Sequence, residues 1–216
     1  LIDHKDIFKG FEKYLPTFNS QSIETLLFKI PGLSEHFVYF NDDSFLINET
    51  KQADFFEKGS PILRGKWINF SKNIVKEATH LKAKEVGAKI AGHNKLYDFY
   101  HTPHPLRKST FENFFKTHQD VLINNIKYKF RDINQFVPQS LANHLELKNK
   151  TCVKESKSAL LFIQKYNTWK VYSRLFMLWY DKKLIFMCLQ SLETAKPFLL
   201  KKISNWAEKK FNVKIG

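Results

Sequence analysis

The stretch Phe37-Val38-Tyr39-Phe40-Asn41-Asp42-Asp43 decides how this chain is read. A continuous apolar run stops at an amide and two acids. Such a run reads as a central strand buried on both faces, the habit of a parallel sheet. Asp42 and Asp43 then sit at its carboxyl end, where open α/β sheets bind ligands. Two adjacent carboxylates there cannot both stay buried and ionised without a cation or a donor. A hard divalent metal answers that need and bridges to substrate phosphates. A turn capping the strand answers it as well, because Asn-Asp-Asp is also turn chemistry.

Upstream, Ile23, Leu26, Leu27 and Ile30 fall at i, i+3, i+4 and i+7. That spacing predicts a helix over residues 20–30, with Ser20 as N-cap and Pro31-Gly32 as its stop. Glu24 lies in the first turn beside the apolar stripe; by itself it reads as a charge favoured near a helix N-terminus. Downstream, Phe45–Ile47 reads as a second short strand. Residues 71–91 read as a helix carrying Ile74, Val75, Ala78, Leu81 and Val86. Ser109 and Glu112 have the spacing of a capping box that opens a helix to about His118. Residues 138–147 form another helix candidate, and the polar residues 148–158 a loop or hinge. Residues 160–166 and 184–189 read as strands. Pro197–Phe211 closes the chain as a helix with Leu199, Ile203, Trp206, Lys210 and Phe211 near one face. Strands alternate with helices, so the expected class is α/β in a single domain over 1–216.

A chain of 216 residues buries enough surface to fold without a disulfide or metal staple. Phe stands out, with 21 Phe against 7 Gly, and points to a core of large side chains or to exposed aromatic surface. Lys and Arg number 35 against 21 Asp and Glu, a net charge of +14. Only Arg64, Arg107, Arg131 and Arg174 are Arg. The charge suits nucleic acid, an anionic membrane face or an anionic polymer alike. Cys152 and Cys188 form no C-x-x-C pair, which argues against a zinc ribbon or a thioredoxin-like site and for a reducing compartment. No apolar run approaches the ~18 residues of a membrane span, and no segment reads as a signal peptide. The chain opens at Leu1 rather than Met, and a preceding N-terminal portion is expected.

Three groups of residues carry candidate chemistry besides the acids. His101-Thr-Pro-His104 places two imidazoles on a Pro-braced loop, able to bind metal or to work as acid and base. It also reads as two surface histidines in a turn. Arg107 and Arg131 read as phosphate clamps, or as surface ion pairs, Arg131 with Asp132. The glycine-rich phosphate loops, the G-x-S-x-G elbow and the H-E-x-x-H zinc motif are all missing from the sequence.

The motifs resemble a known family. Leu15-Pro-Thr-Phe-Asn-Ser-Gln-Ser-Ile-Glu24 and Ile30-Pro-Gly-Leu-Ser-Glu-His-Phe-Val-Tyr-Phe-Asn-Asp-Asp43 resemble the second conserved region of the stealth family. These are bacterial sugar-1-phosphate transferases of capsular polysaccharide synthesis, and the animal enzyme that phosphorylates lysosomal glycoproteins is similar. His101-Thr-Pro-His-Pro-Leu-Arg-Lys108 and Lys129-Phe-Arg131 resemble the third region, and Phe186-Met-Cys-Leu-Gln190 the fourth. The first region's Ile-Asp-x-Val-Tyr-Thr-Trp-Val-Asp type of segment does not occur.

The resemblance implies a nucleotide-sugar-transferase-like core with a mostly parallel sheet, its N-terminal strand region lying outside this sequence. It implies a nucleotide-sugar donor and an acceptor glycan or growing anionic polysaccharide. Mg²⁺ or Mn²⁺ would sit on Asp42 and Asp43. His101 would be the base, with His104 bracing the loop, and Arg131 would stabilise the transferring phosphoryl. Glu24, Asn19 and Arg107 would contact substrate. It further implies a cytoplasmic enzyme in peripheral contact with the inner membrane face, and no nucleic acid. Two other readings stand beside it: a metal-dependent nuclease, for which base-stacking aromatics interleaved with Arg are lacking, and a non-catalytic glycan- or polyanion-binding remnant of the enzyme.

Overall fold

The computed structural model describes residues 1–71 and 79–213. They divide into two compact units. The larger comprises Leu1–Tyr39, Phe55–Phe99 and His104–Ser156, the smaller Phe40–Asp54, Tyr100–Pro103 and Lys157–Gly216.

In the larger unit the long strand Ser60–Asn69 organises a sheet. It pairs antiparallel with Phe56–Glu57 and with Lys95–Phe99, and parallel with Val153–Glu155. The hairpin between its first two strands turns at Lys58 and Gly59, both at positive φ (48° and 79°), as a tight right-twisting connection requires. Gly65 is obligatory for another reason: a Cβ there would lie 2.7 Å from the Asp98 carbonyl and 2.8 Å from the Phe99 Cα. The helices His80–Ile90, Lys108–Thr117, Gln119–Ile126 and Pro138–Asn149 complete the unit. Phe8, Leu26, Leu106, Phe111, Ile126 and Leu141 anchor its core.

The expected central strand is real but differently placed. Among the described residues His36–Tyr39 pairs antiparallel with His104–Arg107 alone, in a two-stranded sheet, and each of its residues is half-buried. The apolar run hides two environments. Phe37 and Tyr39 pack on the main core. His36 instead turns to Phe56, ring centroids 5.0 Å apart, and to the Gly59 carbonyl at 2.8 Å.

Other expectations shift for local reasons. The helix at residue 20 runs only from Ser20 to Thr25, continued by a 3-10 turn at Leu27–Lys29. Its N-cap is Asn19, whose side chain accepts from the Gln21 N–H. The Ser109–Glu112 box does not form, because the Ser109 hydroxyl and N–H both donate to Glu35. Within 148–158, Val153–Glu155 is a strand on Ile62–Arg64 and not a hinge. The helix expected from residue 71 is observed as His80–Ile90, capped by Thr79; Ile74, Val75 and Ala78 lie outside the described residues.

The smaller unit is built on three strands in the order Ser44–Leu46, Phe186–Leu189, Leu160–Ile163. The first pair is antiparallel and the second parallel. Phe186–Leu189 is buried throughout. The helix Thr168–Tyr180 links the parallel strands, and Pro197–Phe211 follows with the expected bounds. Val171, Leu175, Met187, Leu199, Ile203 and Trp206 form the core of this unit. The class is therefore mixed α/β, as expected. A mostly parallel sheet is not observed among the described residues, where four of the six strand pairings are antiparallel.

One buried imidazole makes the larger unit acid-sensitive. His144 accepts from the Tyr97 N–H at Nε2 (2.9 Å) and donates from Nδ1 to the Ser140 carbonyl (2.7 Å). Burial, with His93 nearby, lowers its pKa from 6.5 to about 4. The unfolded chain therefore binds the proton first as pH falls. Stability from this group is full above about pH 6.5 and is lost towards pH 4, on the order of 3 kcal/mol in all. Thermal melts at pH 7 and pH 5 should show a drop that His144→Gln reduces; an equal drop in both proteins contradicts the assignment.

Candidate functional site

The predicted residues fall in both units. In the larger, the helix Ser20–Thr25 carries Glu24 in its last turn, not in the first turn expected from the sequence, and sets it beside the strand His36–Tyr39. The Tyr39 hydroxyl donates to Glu24 Oε1 at 2.9 Å, and the Gln139 amide donates to Oε2 at 2.9 Å. Tyr39 and His104 face each other in register, rings stacked with centroids 6.3 Å apart. His104 is buried, with the Phe99 ring edge-on at 4.6 Å.

Burial raises the Glu24 pKa above the usual carboxylate range. The two donated hydrogen bonds and the Arg131 charge oppose that rise. Tyr39→Phe removes a donor to the charged form, so it should move the Glu24 titration further up. Carboxyl-carbon NMR reads this directly, and a downward or absent shift contradicts the geometry.

Arg131 is exposed, and its guanidinium reaches the Ser20 hydroxyl at 3.4 Å. The backbone before it is tied down by Asn19. The Asn19 amide donates to the Phe130 carbonyl and to Gln135 Oε1, both at 2.8 Å. With its oxygen capping the helix and 1% of its surface exposed, Asn19 is spent inside the fold. Asn19, read from the sequence as a substrate contact, supports the Arg131 segment through these bonds. Arg107 is likewise engaged. It grips Glu146 with two hydrogen bonds, 3.0 Å and 2.6 Å, and Glu146 is 3% exposed. That pair anchors the strand His104–Arg107 to the helix Pro138–Asn149.

The smaller unit holds Asp42, Asp43 and His101. Asp42 and Asp43 are the central residues of a turn closed by the Ser44 N–H on the Asn41 carbonyl at 3.1 Å. The turn feeds the strand Ser44–Leu46. Asp42 is exposed and Asp43 half-buried. The Asp43 carbonyl accepts from the Leu189 N–H at 2.9 Å. The buried Cys188 thiol hydrogen-bonds to the Asp43 carboxylate; its pKa rises to about 12, first through burial and then through that negative charge. The His101 ring lies flat on Phe162, centroids 4.6 Å apart and planes 5° apart.

Among the described residues no group of three or more His, Cys, Asp or Glu side chains is placed to hold a metal ion. Asp42 and Asp43 nonetheless suit Mg²⁺, which takes one or two carboxylates and completes its shell with water and substrate phosphates. Sequence reading missed Tyr39 and Gln139 as partners of Glu24. Tyr39 lies inside the deciding stretch, but its hydroxyl gave no signal there. Gln139 is 115 residues from Glu24 and had none. No helix among the described residues is long and apolar enough to cross a membrane.

Comparison with known proteins bears on these residues. Residues 1–62 match Stealth protein CR2, conserved region 2. The capsular polysaccharide phosphotransferase cps1A of Actinobacillus pleuropneumoniae is 36% identical over 143 residues, 62% of this chain and 38% of that protein. The capsular polysaccharide phosphotransferase fcs1 of Haemophilus influenzae is 33% identical over 156 residues, 65% of this chain and 42% of that protein. The exopolysaccharide phosphotransferase cps2G of Lactiplantibacillus plantarum is 33% identical over 168 residues, 62% of this chain and 49% of that protein. The chain thus spans less than half the length of these relatives.

Proposed function

From the likeness of residues 1–62 to the second conserved region of the stealth family, we propose that this chain belongs to that family and takes part in transferring a sugar-1-phosphate from a nucleotide sugar to a hydroxyl of a capsular or cell-surface glycan. The observation that carries this reading is the match over residues 1–62, the stretch that holds Glu24, Asp42 and Asp43. The relatives' names do not favour the non-catalytic binding remnant.

In the reaction the acceptor oxygen attacks the phosphorus that bears the sugar. The bridging P–O bond breaks, a nucleoside monophosphate leaves, and the hydroxyl proton passes to a base. Such transfers ask for charge neutralisation and in-line positioning more than for covalent chemistry. Asp42 and Asp43 would hold Mg²⁺ or Mn²⁺, which supplies positive charge to the donor diphosphate. His101 takes the acceptor proton; stacking on Phe162 fixes its ring plane and so aims its nitrogens. Arg131, exposed and held in place through Asn19, offers its guanidinium to phosphoryl oxygens. Glu24 orients the donor, its own orientation set by Tyr39 and Gln139. His104 stays a bracing residue. The setting is the cytoplasm, with peripheral contact to the inner membrane face.

The reading is tested by incubating an active preparation with a nucleotide sugar, a glycan acceptor and Mg²⁺, and following ³¹P NMR. A new phosphodiester resonance that depends on the acceptor is expected. Its absence with every donor, while the protein remains folded, defeats the proposal.

A further inference from the structure

The helix Thr168–Tyr180 buries one face and leaves the other open. Val171, Leu175 and Leu178 point into the core of the smaller unit. Trp169, Tyr172, Phe176 and Tyr180, at i, i+3, i+7 and i+11, line the opposite side. They are 86%, 42%, 63% and 72% exposed, and Met177 beside them 48%. A contiguous aromatic stripe of this size is not needed for folding and marks a contact surface.

The stripe borders a shallow groove of about 620 Å³, where Lys202 and Trp206 of the closing helix complete the lining. The Trp206 indole N–H is buried without an acceptor among the described residues. Lys170 lies near one end of the stripe, and Lys182 and Lys183 follow the other; all three are exposed. The segment from residue 157 to the end carries twelve Lys and Arg against three Asp and Glu.

We propose that this face docks on the surface of an anionic lipid bilayer. Trp169, Phe176 and Tyr180 enter the headgroup boundary, where amphipathic aromatic rings are favoured. The lysines at the two ends and at the groove meet lipid phosphates. Two features favour a bilayer over other occupants. Residues 168–180 contain no Asp, Asn, Glu or Gln, the side chains that read sugar hydroxyls. A second copy would set like-charged lysines against each other, which penalises association. The inference deepens the membrane contact named above, and its surface lies apart in sequence from the residues assigned to the transfer.

Co-sedimentation of the protein with vesicles decides it. The protein is expected to bind vesicles of phosphatidylglycerol and phosphatidylethanolamine, and phosphatidylcholine vesicles at least tenfold more weakly. The double variant Trp169→Ser/Phe176→Ser should lose at least tenfold in anionic-vesicle binding with an unchanged melting temperature, since both side chains are largely in water. Lys182→Glu/Lys183→Glu should weaken binding at low salt and matter less at high salt, where exposed charges are screened beyond a few ångströms. The proposal is overturned if wild type and the aromatic variant bind equally, if neither binds, or if the variant instead loses only retention by anionic polysaccharide or only self-association. Turnover on a soluble acceptor, followed in the same variants, should be unchanged. Absent turnover with intact vesicle binding would count against the transferase reading and leave this one standing.

Discussion

Asp43→Asn, introduced into an active preparation, lowers turnover at least 10²-fold and leaves the melting temperature within about 1 °C. Asp43 serves the fold through groups that Asn retains. Its carbonyl holds the Leu189 N–H, a main-chain bond that the substitution keeps. Its carboxylate accepts from the Cys188 thiol, and an amide oxygen accepts there equally well. Asn is also a good turn residue. Structure therefore loses little, while the charge proposed to face a cation is lost altogether; removing one group that stabilises transition-state charge commonly costs about 10²–10³-fold. Asp42→Asn, at an exposed position of the same turn, should behave likewise. Unchanged rates in both variants would show that the acids only make the turn. Steady-state kinetics beside thermal melts separate the outcomes.

Arg107→Met should act the other way, on stability and not on substrate affinity. The Glu146 carboxylate is 3% exposed and accepts two bonds from Arg107, with further contacts from the Thr110 and Thr151 hydroxyls. Removing the guanidinium strands a buried negative charge, at a cost of about 3–5 kcal/mol. In a chain of this size that lowers the melting temperature by roughly 10 °C. Adding Glu146→Gln removes the stranded charge and should restore part of the loss, a coupling that a double-mutant cycle measures. If stability holds and KM for the donor rises instead, Arg107 contacts phosphate after all.

What was legible in the sequence follows from how local each signal is. Pro197–Phe211 could be read end to end, because Pro opens it and Leu199, Ile203 and Trp206 keep helical spacing. Thr168–Tyr180 could not, because its aromatic outer face cancels the contrast with Val171, Leu175 and Leu178. The strand Ser60–Asn69 gave no clean pattern either, since two of its three partners lie some 30 and 90 residues further along the chain and the third is only the two-residue strand Phe56–Glu57. The strand His36–Tyr39 was found, but the same apolar run suggested a parallel, central place it does not have. At the site, spacing alone left Asp42-Asp43 between metal ligand and turn; the resemblance of the surrounding motif carried the assignment. Arg107 and Asn19 show the converse. A motif position says which residue matters, and only packing shows that these two matter as an anchor and as a support for Arg131.

The most direct test of the whole account is the identity of the leaving nucleotide. Transfer of a sugar-1-phosphate breaks the diphosphate, so a nucleoside monophosphate must appear, one for each phosphodiester formed and only with acceptor present. Chromatography of the nucleotides released by an active preparation from a range of nucleotide sugars reads this without knowing the glycan. The account predicts the monophosphate, lost in Asp43→Asn. Release of the nucleoside diphosphate would mean ordinary glycosyl transfer, with phosphate staying on the nucleotide, and would contradict it.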